Sequence, residues 1–299
     1  MANRRLFIQT IAYVSLTLLF GCGSDSAEPI GKLTVGIVSY DTASQSVDQY
    51  QSFREYLSQQ TQTVVELEPA YNELQALQQI QRQDVWSIVF APAGLAAVAI
   101  EQDGYVPIFP LQGSANARSV LLVLEDSPVE DLGDLAGESI ALGEPGSAAG
   151  YYLPLYDLYG LTLSEVNFAP TPRTMLTWIS DGTVLAGALS EEDYQAFRNE
   201  FTGTSFRVLH TSRPIPQGVV LIGPTVERNQ QRQIEEAMKA APSNIIADAG
   251  YLPTATLPDY RQFIQLIEKV RPLERQVQQS PAVLTIDESS GDESSDIGD

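Results

Sequence analysis

The sequence predicts an α/β protein with two lobes, each built on a sheet that helices cover. From residue 33 onward, short runs rich in Val, Ile and Leu alternate with longer stretches whose apolar residues recur at helical spacing. Such alternation is typical of largely parallel sheets with helices on both faces. This series of strands and helices occurs twice along the chain. The second series is complete before residue 219, and further elements follow it. We therefore expect the last elements to return to the first sheet.

The first lobe opens on a continuously apolar strand, as buried parallel strands do. In the helix predicted over 72–81, Leu74, Leu77 and Ile80 form one apolar stripe. The elements of this lobe are expected in alternating order: strand 33–39, helix 47–58, strand 63–67, helix 72–81, strand 85–90, helix 93–102 and strand 106–111.

The second lobe repeats this order with somewhat shorter elements. Its expected strands are 119–124, 139–142, 166–169, 184–189 and 206–210, and its expected helices are 148–158, 174–180 and 191–201. Strand 219–222 and helices 226–240, 243–249 and 260–270 then rejoin the first lobe. The predicted division assigns 32–112 and 216–286 to lobe 1 and 113–215 to lobe 2, with chain crossings near 111–119 and 211–217.

Composition excludes several classes of function. Seventeen Lys and Arg against 38 Asp and Glu give 299 residues a formal charge of -21, which argues against a nucleic-acid partner because phosphates would meet like charge. One cysteine and one histidine exclude a disulfide framework, a Cys/His zinc site and a Cys-His nucleophile pair within the chain. No cofactor is expected. An enzyme remains the minor alternative, on Glu191, Glu192 and His210.

The amino terminus is predicted to be a secretory signal over residues 1–21. Arg4 and Arg5 precede an apolar run that ends at Phe20 and is too short to span a bilayer comfortably. The arginine pair also fits twin-arginine export, although no cofactor calls for that route. The next residue, Cys22, is the only cysteine of the chain.

Residues 19–22, Leu-Phe-Gly-Cys, resemble the lipobox of bacterial lipoproteins. The resemblance implies a lipid on Cys22, attachment to the membrane through it, and a polar tether over 22–31. An ordinary signal peptide with an incidental cysteine is the alternative. At the other end, residues 287–299 are acidic and nearly free of large apolar side chains, which predicts a disordered tail.

Five segments between residues 33 and 272 resemble the phosphate, phosphite and phosphonate-binding family of periplasmic solute-binding proteins of ABC transporters. They are 33–39, 88–92, 118–128, 131–137 and 141–150. The resemblance implies a type II periplasmic-binding-protein fold with two mixed, mostly parallel sheets flanked by helices. It also implies that a small anionic solute binds between the lobes and passes to an ABC permease in the inner membrane. A sensor, or a receptor for another organic solute such as a sulfonate, is the alternative.

In these relatives, a turn of the type Asp/Glu-Pro-x-Ser-Thr-Ser-Gly holds the anion with hydroxyls and backbone N–H groups. Unpaired N–H groups and the helix dipole favour an anion there without a lysine. The corresponding residues here are 144–150, in which Ser147 keeps its hydroxyl and Ala148 and Ala149 have none, while Gly150 ends the turn. The structural alternative is that Ser147 only caps its own helix.

Further candidates for ligand contact lie at strand ends and helix starts. Ala91 stands where many relatives present a tyrosine, and Glu192 falls near a carboxylate that certain relatives use for an amino group. Tyr151 points away from the stripe of the other tyrosines in its helix and is expected to face the cleft. The full set beyond the turn is Ser39, Tyr40, Ala91, Tyr151, Arg173, Thr174, Ser190 and Glu192.

Overall fold

The computed structural model describes residues 31–38, 45–114 and 116–286. Several expectations lie outside these residues: the signal peptide, lipidation of Cys22, the ligand contacts of Ser39 and Tyr40, and the acidic tail. The tether is outside as well, apart from its last residue.

The described chain alternates strands and helices in the order expected. Its first part contains β1 (Lys32–Val38), α1 (Gln45–Asp48), α2 (Gln51–Thr61), β2 (Val64–Ala70), α3 (Glu73–Gln81), β3 (Ile88–Ala91), α4 (Ala93–Gln102) and β4 (Val106–Pro110). The middle part contains β5 (Ser119–Leu124), a 3-10 turn (Leu132–Leu135), β6 (Ser139–Gly143), a π-helix (Ala148–Tyr152), α5 (Leu153–Asp157), β7 (Thr162–Leu163), β8 (Glu165–Ala169), α6 (Pro172–Ser180), β9 (Ala186–Ser190), α7 (Glu191–Phe197), a 3-10 turn (Arg198–Glu200) and β10 (Phe206–Thr211). The last part contains β11 (Val219–Ile222), α8 (Arg228–Lys239), α9 (Ser243–Ala249), α10 (Arg261–Val270), a 3-10 turn (Arg271–Glu274) and β12 (Ala282–Val283).

Two five-stranded sheets define the lobes. Sheet 1 has the order β2-β1-β3-β11-β4, and sheet 2 has the order β10-β5-β9-β6-β8. The α/β fold with two mixed sheets flanked by helices is thereby confirmed. The sheets are also mostly parallel, because four of the five strands in each sheet run in one direction and only β11 in sheet 1 and β5 in sheet 2 run in the opposite direction.

The antiparallel pairings have a topological cause. β5 and β11 are the first strands after the two crossings, so each begins at the gap between the lobes. The neighbouring strands β3, β6 and β9 end at that gap, and β5 and β11 must run in the opposite direction to β9 and β3. This arrangement brings the carboxyl ends of strands from both sheets to one place.

The predicted helix over 148–158 is not α-helical along its whole length. Its first turn, Ala148–Tyr152, is a π-helix, and the rest is the short helix α5. Ser147 caps this start, since its Oγ accepts the backbone N–H of Gly150 at 3.0 Å. Single turns of π-helix are frequent at functional sites.

The end of the described chain departs from the predicted division of the lobes. After α10 the chain passes from lobe 1 to lobe 2, where β12 pairs antiparallel with β7. The backbone N–H of Leu284 donates to Leu161 at 2.8 Å, and its carbonyl accepts from Gly160 at 2.8 Å. Leu284 is fully buried. Residues 277–286, which we call the C-terminal strap, therefore pack on lobe 2, although they were expected in lobe 1.

One apolar core continues from lobe 1 into lobe 2. It joins α4 and α10 to the π-helix, α5 and the C-terminal strap. Five of the ten residues of α4 are alanine or glycine, which permits close packing on both sides. No helix in residues 31–38, 45–114 and 116–286 is long and apolar enough to cross a membrane.

Candidate functional site

A cavity of about 340 Å³ lies between the two sheets. Both lobes and both crossing segments line it, the latter through residues 111–114, 117 and 215–218. Gly143, Ala169 and Ser190, the last residues of β6, β8 and β9, also form part of the wall. Open α/β sheets place ligands at the carboxyl ends of their strands, and the volume is that of a site for a small molecule.

The turn after β6 contributes one wall. Ser147, Ala148, Ala149 and Gly150 all line the cavity. The hydroxyl of Ser147 accepts from Gly150, so its own proton is available to a second acceptor. The N–H groups of Ala148 and Ala149 belong to the first helical turn and have no acceptor among the residues that the structure describes.

A second helix start contributes hydroxyls from the other side. Thr171 lines the cavity and caps α6, accepting the backbone N–H of Thr174 at 3.1 Å. The hydroxyls of these two threonines lie 2.9 Å apart. At the start of α7, the Ser190 hydroxyl accepts from the backbone of Asp193 and donates to its carboxylate at 2.5 Å. The hydroxyl of Ser190 is thus already paired.

Carboxylates dominate the charge of the wall. Glu73, Glu144, Glu192 and Asp193 line the cavity, and none of the described lining residues is Lys or Arg. Burial raises the pKa of Asp193, with the negative charge of Glu192 adding to the rise and the Ser190 hydrogen bond opposing it. Burial likewise raises the pKa of Glu144. Within the described residues, no group of three or more Asp, Glu, His or Cys is arranged to hold a metal.

The crossing segments behind the cavity are tied to each other. Leu111 donates its backbone N–H to Gly218 at 2.8 Å, and the Gln217 side chain donates to the carbonyl of Gly113 at 3.2 Å. From the start of α10, the Tyr260 hydroxyl donates to the carbonyl of Gln217 at 2.5 Å. A paired hinge of this kind fits a rigid-body movement of two lobes.

The structure brings six of the predicted contact residues to the cavity: Ser147, Ala148, Ala149, Gly150, Ser190 and Glu192. Ala91, Tyr151, Arg173 and Thr174 do not line it. Ala91 is buried at the end of β3, and its neighbour Pro92 forms the wall instead. Thr174 contributes only through its hydrogen bonds with Thr171.

Arg173 is directed away from the cavity. Its guanidinium pairs with Glu200 through two contacts, Nε to Oε2 at 2.8 Å and Nη2 to Oε1 at 3.0 Å, and lies over the ring of Phe197. About half of the side chain is exposed. In this arrangement the Arg173 guanidinium is paired with a carboxylate outside the cavity wall, so its contact with a ligand stays a prediction.

Tyr151 is fully buried, with its ring against Tyr152 and Phe168. The expectation that it faces the cleft assumed α-helical spacing. The wider turn of the π-helix changes the direction of each side chain, so Tyr151 packs inside lobe 2. Its hydroxyl has no hydrogen-bond partner among the residues described.

Sequence reasoning missed seven polar residues of the wall: Glu73, Gln112, Ser114, Glu144, Thr171, Asp193 and Gln217. Thr171 could have been found, because a threonine before a Pro-initiated helix is a typical cap that follows a strand end. Asp193 stands three residues after Ser190, the spacing of a capping box. Nothing in the sequence indicates that Glu73 faces the other lobe.

Of the three residues behind the catalytic alternative, only Glu192 lines the cavity. His210 lies on β10, where its Nε2 atom is 3.1 Å from the carboxylate of Asp157. Glu191 is exposed in the first turn of α7. The three side chains therefore form no common site.

Comparisons with known proteins agree with this arrangement. A family model described as "ABC transporter, phosphonate, periplasmic substrate-binding protein" matches residues 35–262, more than half of the chain. A search of curated protein sequences gave no match.

Solved structures of binding proteins share the fold. PhnD1 from Prochlorococcus marinus, in complex with methylphosphonate, has a TM-score of 0.62 and 15% identity, over 80% of this chain and 97% of that one. A binding protein component of an ABC phosphonate transporter from Pseudomonas aeruginosa has a TM-score of 0.59 and 17% identity, over 79% and 87%. The alkanesulfonate-binding protein SsuA from Xanthomonas axonopodis, bound to MOPS, has a TM-score of 0.53 and 16% identity, over 85% and 98%.

These three structures share less than 20% sequence identity with the chain, so the similarity concerns the fold alone. The family match runs from within β1 to the second residue of α10 and includes the turn at residues 144–150, both crossings and the whole of sheet 2. The chain thus belongs to the phosphonate-binding family of periplasmic substrate-binding proteins of ABC transporters.

Proposed function

We propose that the protein captures a small anionic solute of the phosphonate, phosphite or phosphate type between its lobes, without converting it chemically, and delivers it to an ABC permease in the inner membrane. The observation that carries the proposal is the position of residues 147–150. This helix start, with its hydroxyl and its N–H groups, lines the cavity between the lobes rather than the interior of one lobe.

Neutral donors hold the anion in this proposal. They are the Ser147 hydroxyl, the N–H groups of Ala148 and Ala149, and the hydroxyl of Thr171 from the start of α6. Helix starts place partial positive charge at the anion, so a lysine is not required. Solute that contacts both lobes favours the arrangement in which they are close together.

The carboxylates of the wall favour a solute that also carries an ammonium group. An anion without such a group meets Glu192 and Asp193 as like charges in a partly desolvated site, where Coulomb repulsion is stronger than in water. An ammonium group converts that repulsion into attraction. We infer that zwitterionic phosphonates bind more tightly than simple ones.

Titration calorimetry with a matched pair tests both statements. Methylphosphonate and aminomethylphosphonate differ by one amino group, and we expect both to bind, with the amino compound at least about tenfold tighter. Methanesulfonate, phosphite and phosphate complete the panel. Exclusive binding of methanesulfonate would establish the sulfonate alternative, and no binding by any member would contradict the proposal.

The lipid anchor belongs to the same proposal. A lipid on Cys22 would keep the receptor near its permease, and the support comes from the lipobox-like residues 19–22. Metabolic labelling with a radioactive fatty acid tests the anchor. We expect label in the wild-type protein and none in Cys22→Ser, whereas equal release of both proteins into the soluble fraction would indicate an ordinary signal peptide.

A further inference from the structure

The turn at residues 144–147 lies against two helices of lobe 1. It has proline at its second position and glycine with φ +105° at its third, the pattern of a type II turn, and Ser147 closes it by donating its N–H to the carbonyl of Glu144 at 3.1 Å. A Cβ atom added to Gly146 would lie 2.8 Å from Leu95 Cδ2 and 3.0 Å from Glu73 Cβ. These two neighbours belong to the first turns of α4 and α3.

The contact with α4 is made between backbones. A Cβ atom added to Gly94 would collide with the carbonyl oxygen of Gly146 and lie 2.6 Å from the backbone nitrogen of Ala148. Real Cβ contacts are not this short, so only glycine at position 94 permits the two lobes to approach so closely. Position 94 is otherwise ordinary helix, where alanine would be preferred.

Glu144 makes a polar contact with α3. The backbone N–H of Leu74, in the first turn of that helix, opposes the rise in the pKa of Glu144 that burial causes, while Glu144 Oε2 is buried with no hydrogen-bond partner among the described residues. The side-chain cap Asn72 serves a different group, the N–H of Gln75 at 2.8 Å. A carboxylate at a helix start is stabilised both by the N–H and by the helix dipole.

We propose that residues 144–147 form a latch that holds lobe 2 against the first turns of α3 and α4 even without solute, through the Glu144 carboxylate and the glycine contact at position 94. Glu144 is then a positioning residue, because it acts on the solute through the closeness of the lobes. The latch is inferred from contacts alone, and only its effect on affinity rests on the proposed function.

The latch has a consequence for affinity. If only the closed arrangement binds well, the measured dissociation constant is the intrinsic one divided by the closed fraction. A latch raises that fraction before any solute arrives. Removing it therefore weakens binding without removing a direct contact to the anion at Ser147.

Hydrogen exchange on the purified protein without solute tests the latch directly. Peptides covering 70–77 and 143–150 report on the two partners. Glu144→Ala removes the carboxylate, and we expect about tenfold faster exchange at the Leu74 amide, as for loss of an interaction with a charged group. Glu138→Ala is the matched control, since Glu138 is an exposed carboxylate just before the other end of β6.

Gly94→Ala is the second variant and acts by steric exclusion. Alanine favours the helix itself, so we expect α4 to stay folded while the peptide 143–150 exchanges about tenfold faster. Unchanged exchange in both Glu144→Ala and Gly94→Ala would overturn the latch. Equal acceleration in Glu138→Ala, or acceleration spread over all peptides, would overturn it as well, because it would indicate general destabilisation.

A methylphosphonate titration of the same variants separates the latch from the proposed function. Faster exchange together with a dissociation constant raised about threefold or more supports both. Faster exchange in a protein that binds no member of the solute panel supports the latch and contradicts the proposed function. Weaker binding with unchanged exchange overturns the latch, because Glu144 would then act on the solute directly.

Discussion

Replacing Ser147 with alanine separates the two roles of its hydroxyl. The oxygen accepts the Gly150 N–H at 3.0 Å, and loss of such a cap costs about 1 kcal/mol, which lowers the melting temperature by about 2 °C in a protein of this size. The proton of the hydroxyl is not used in that bond. If it donates to the anion, its loss costs about 1.5 to 3 kcal/mol and raises the dissociation constant about tenfold or more.

Two measurements distinguish the roles: thermal unfolding without solute and calorimetric titration with methylphosphonate. Ser190→Ala is the matched variant, because Ser190 also caps a helix at the cavity wall but donates its proton to Asp193. We expect a larger loss of melting temperature in Ser190→Ala, which also removes a hydrogen bond from the buried Asp193 carboxylate, and a large loss of affinity only in Ser147→Ala. An unchanged dissociation constant in Ser147→Ala would refute the reasoning, because the hydroxyl would then be a cap and nothing more.

Three further predictions concern stability and are measured by urea unfolding. Gly36→Ala should destabilise by about 1 to 3 kcal/mol, because its Cβ would overlap the Trp86 indole, and a neutral result would contradict this packing. Leu284→Ala should cost about 2 to 5 kcal/mol, whereas a surface-like cost below about 0.5 kcal/mol would mean that the C-terminal strap does not pack. Asp103→Asn should stabilise at pH 7 by about 0.5 kcal/mol, since it removes a buried carboxylate from the C-terminal end of α4. Burial raises the pKa of Asp103 in the folded state, so wild-type stability should fall as pH rises through that folded pKa, and a variant with the same pH profile would contradict the assignment.

Periodicity alone located most of the fold. β5 and α4 begin and end at the predicted residues, because β5 is an apolar run between Arg118 and Glu125 and α4 is bounded by Pro92 and by Asp103-Gly104. The cap that the sequence suggested at Ser147 is present for the same reason, because its hydroxyl lies within three residues of the N–H that it accepts. Local rules are sufficient where the determining contacts are local.

Contacts between distant residues explain what was missed. Glu200 lies 27 positions from Arg173, and no pattern in the sequence joins them. β7 and β12 have two residues each, too few for a strand period, although their pairing places the end of the described residues on lobe 2. The position of Glu144 between the lobes likewise follows from how two separately folded sheets meet.

The pairing of β7 with β12 separates the two ends of the described chain. Gly31 leads into lobe 1, whereas the Ile286 backbone N–H lies 3.5 Å from the Tyr159 hydroxyl in lobe 2. A fluorophore attached at the first end would therefore move with lobe 1, and one attached at the second end would move with lobe 2. Energy transfer between the two dyes would follow the angle between the lobes without any label inside the folded protein.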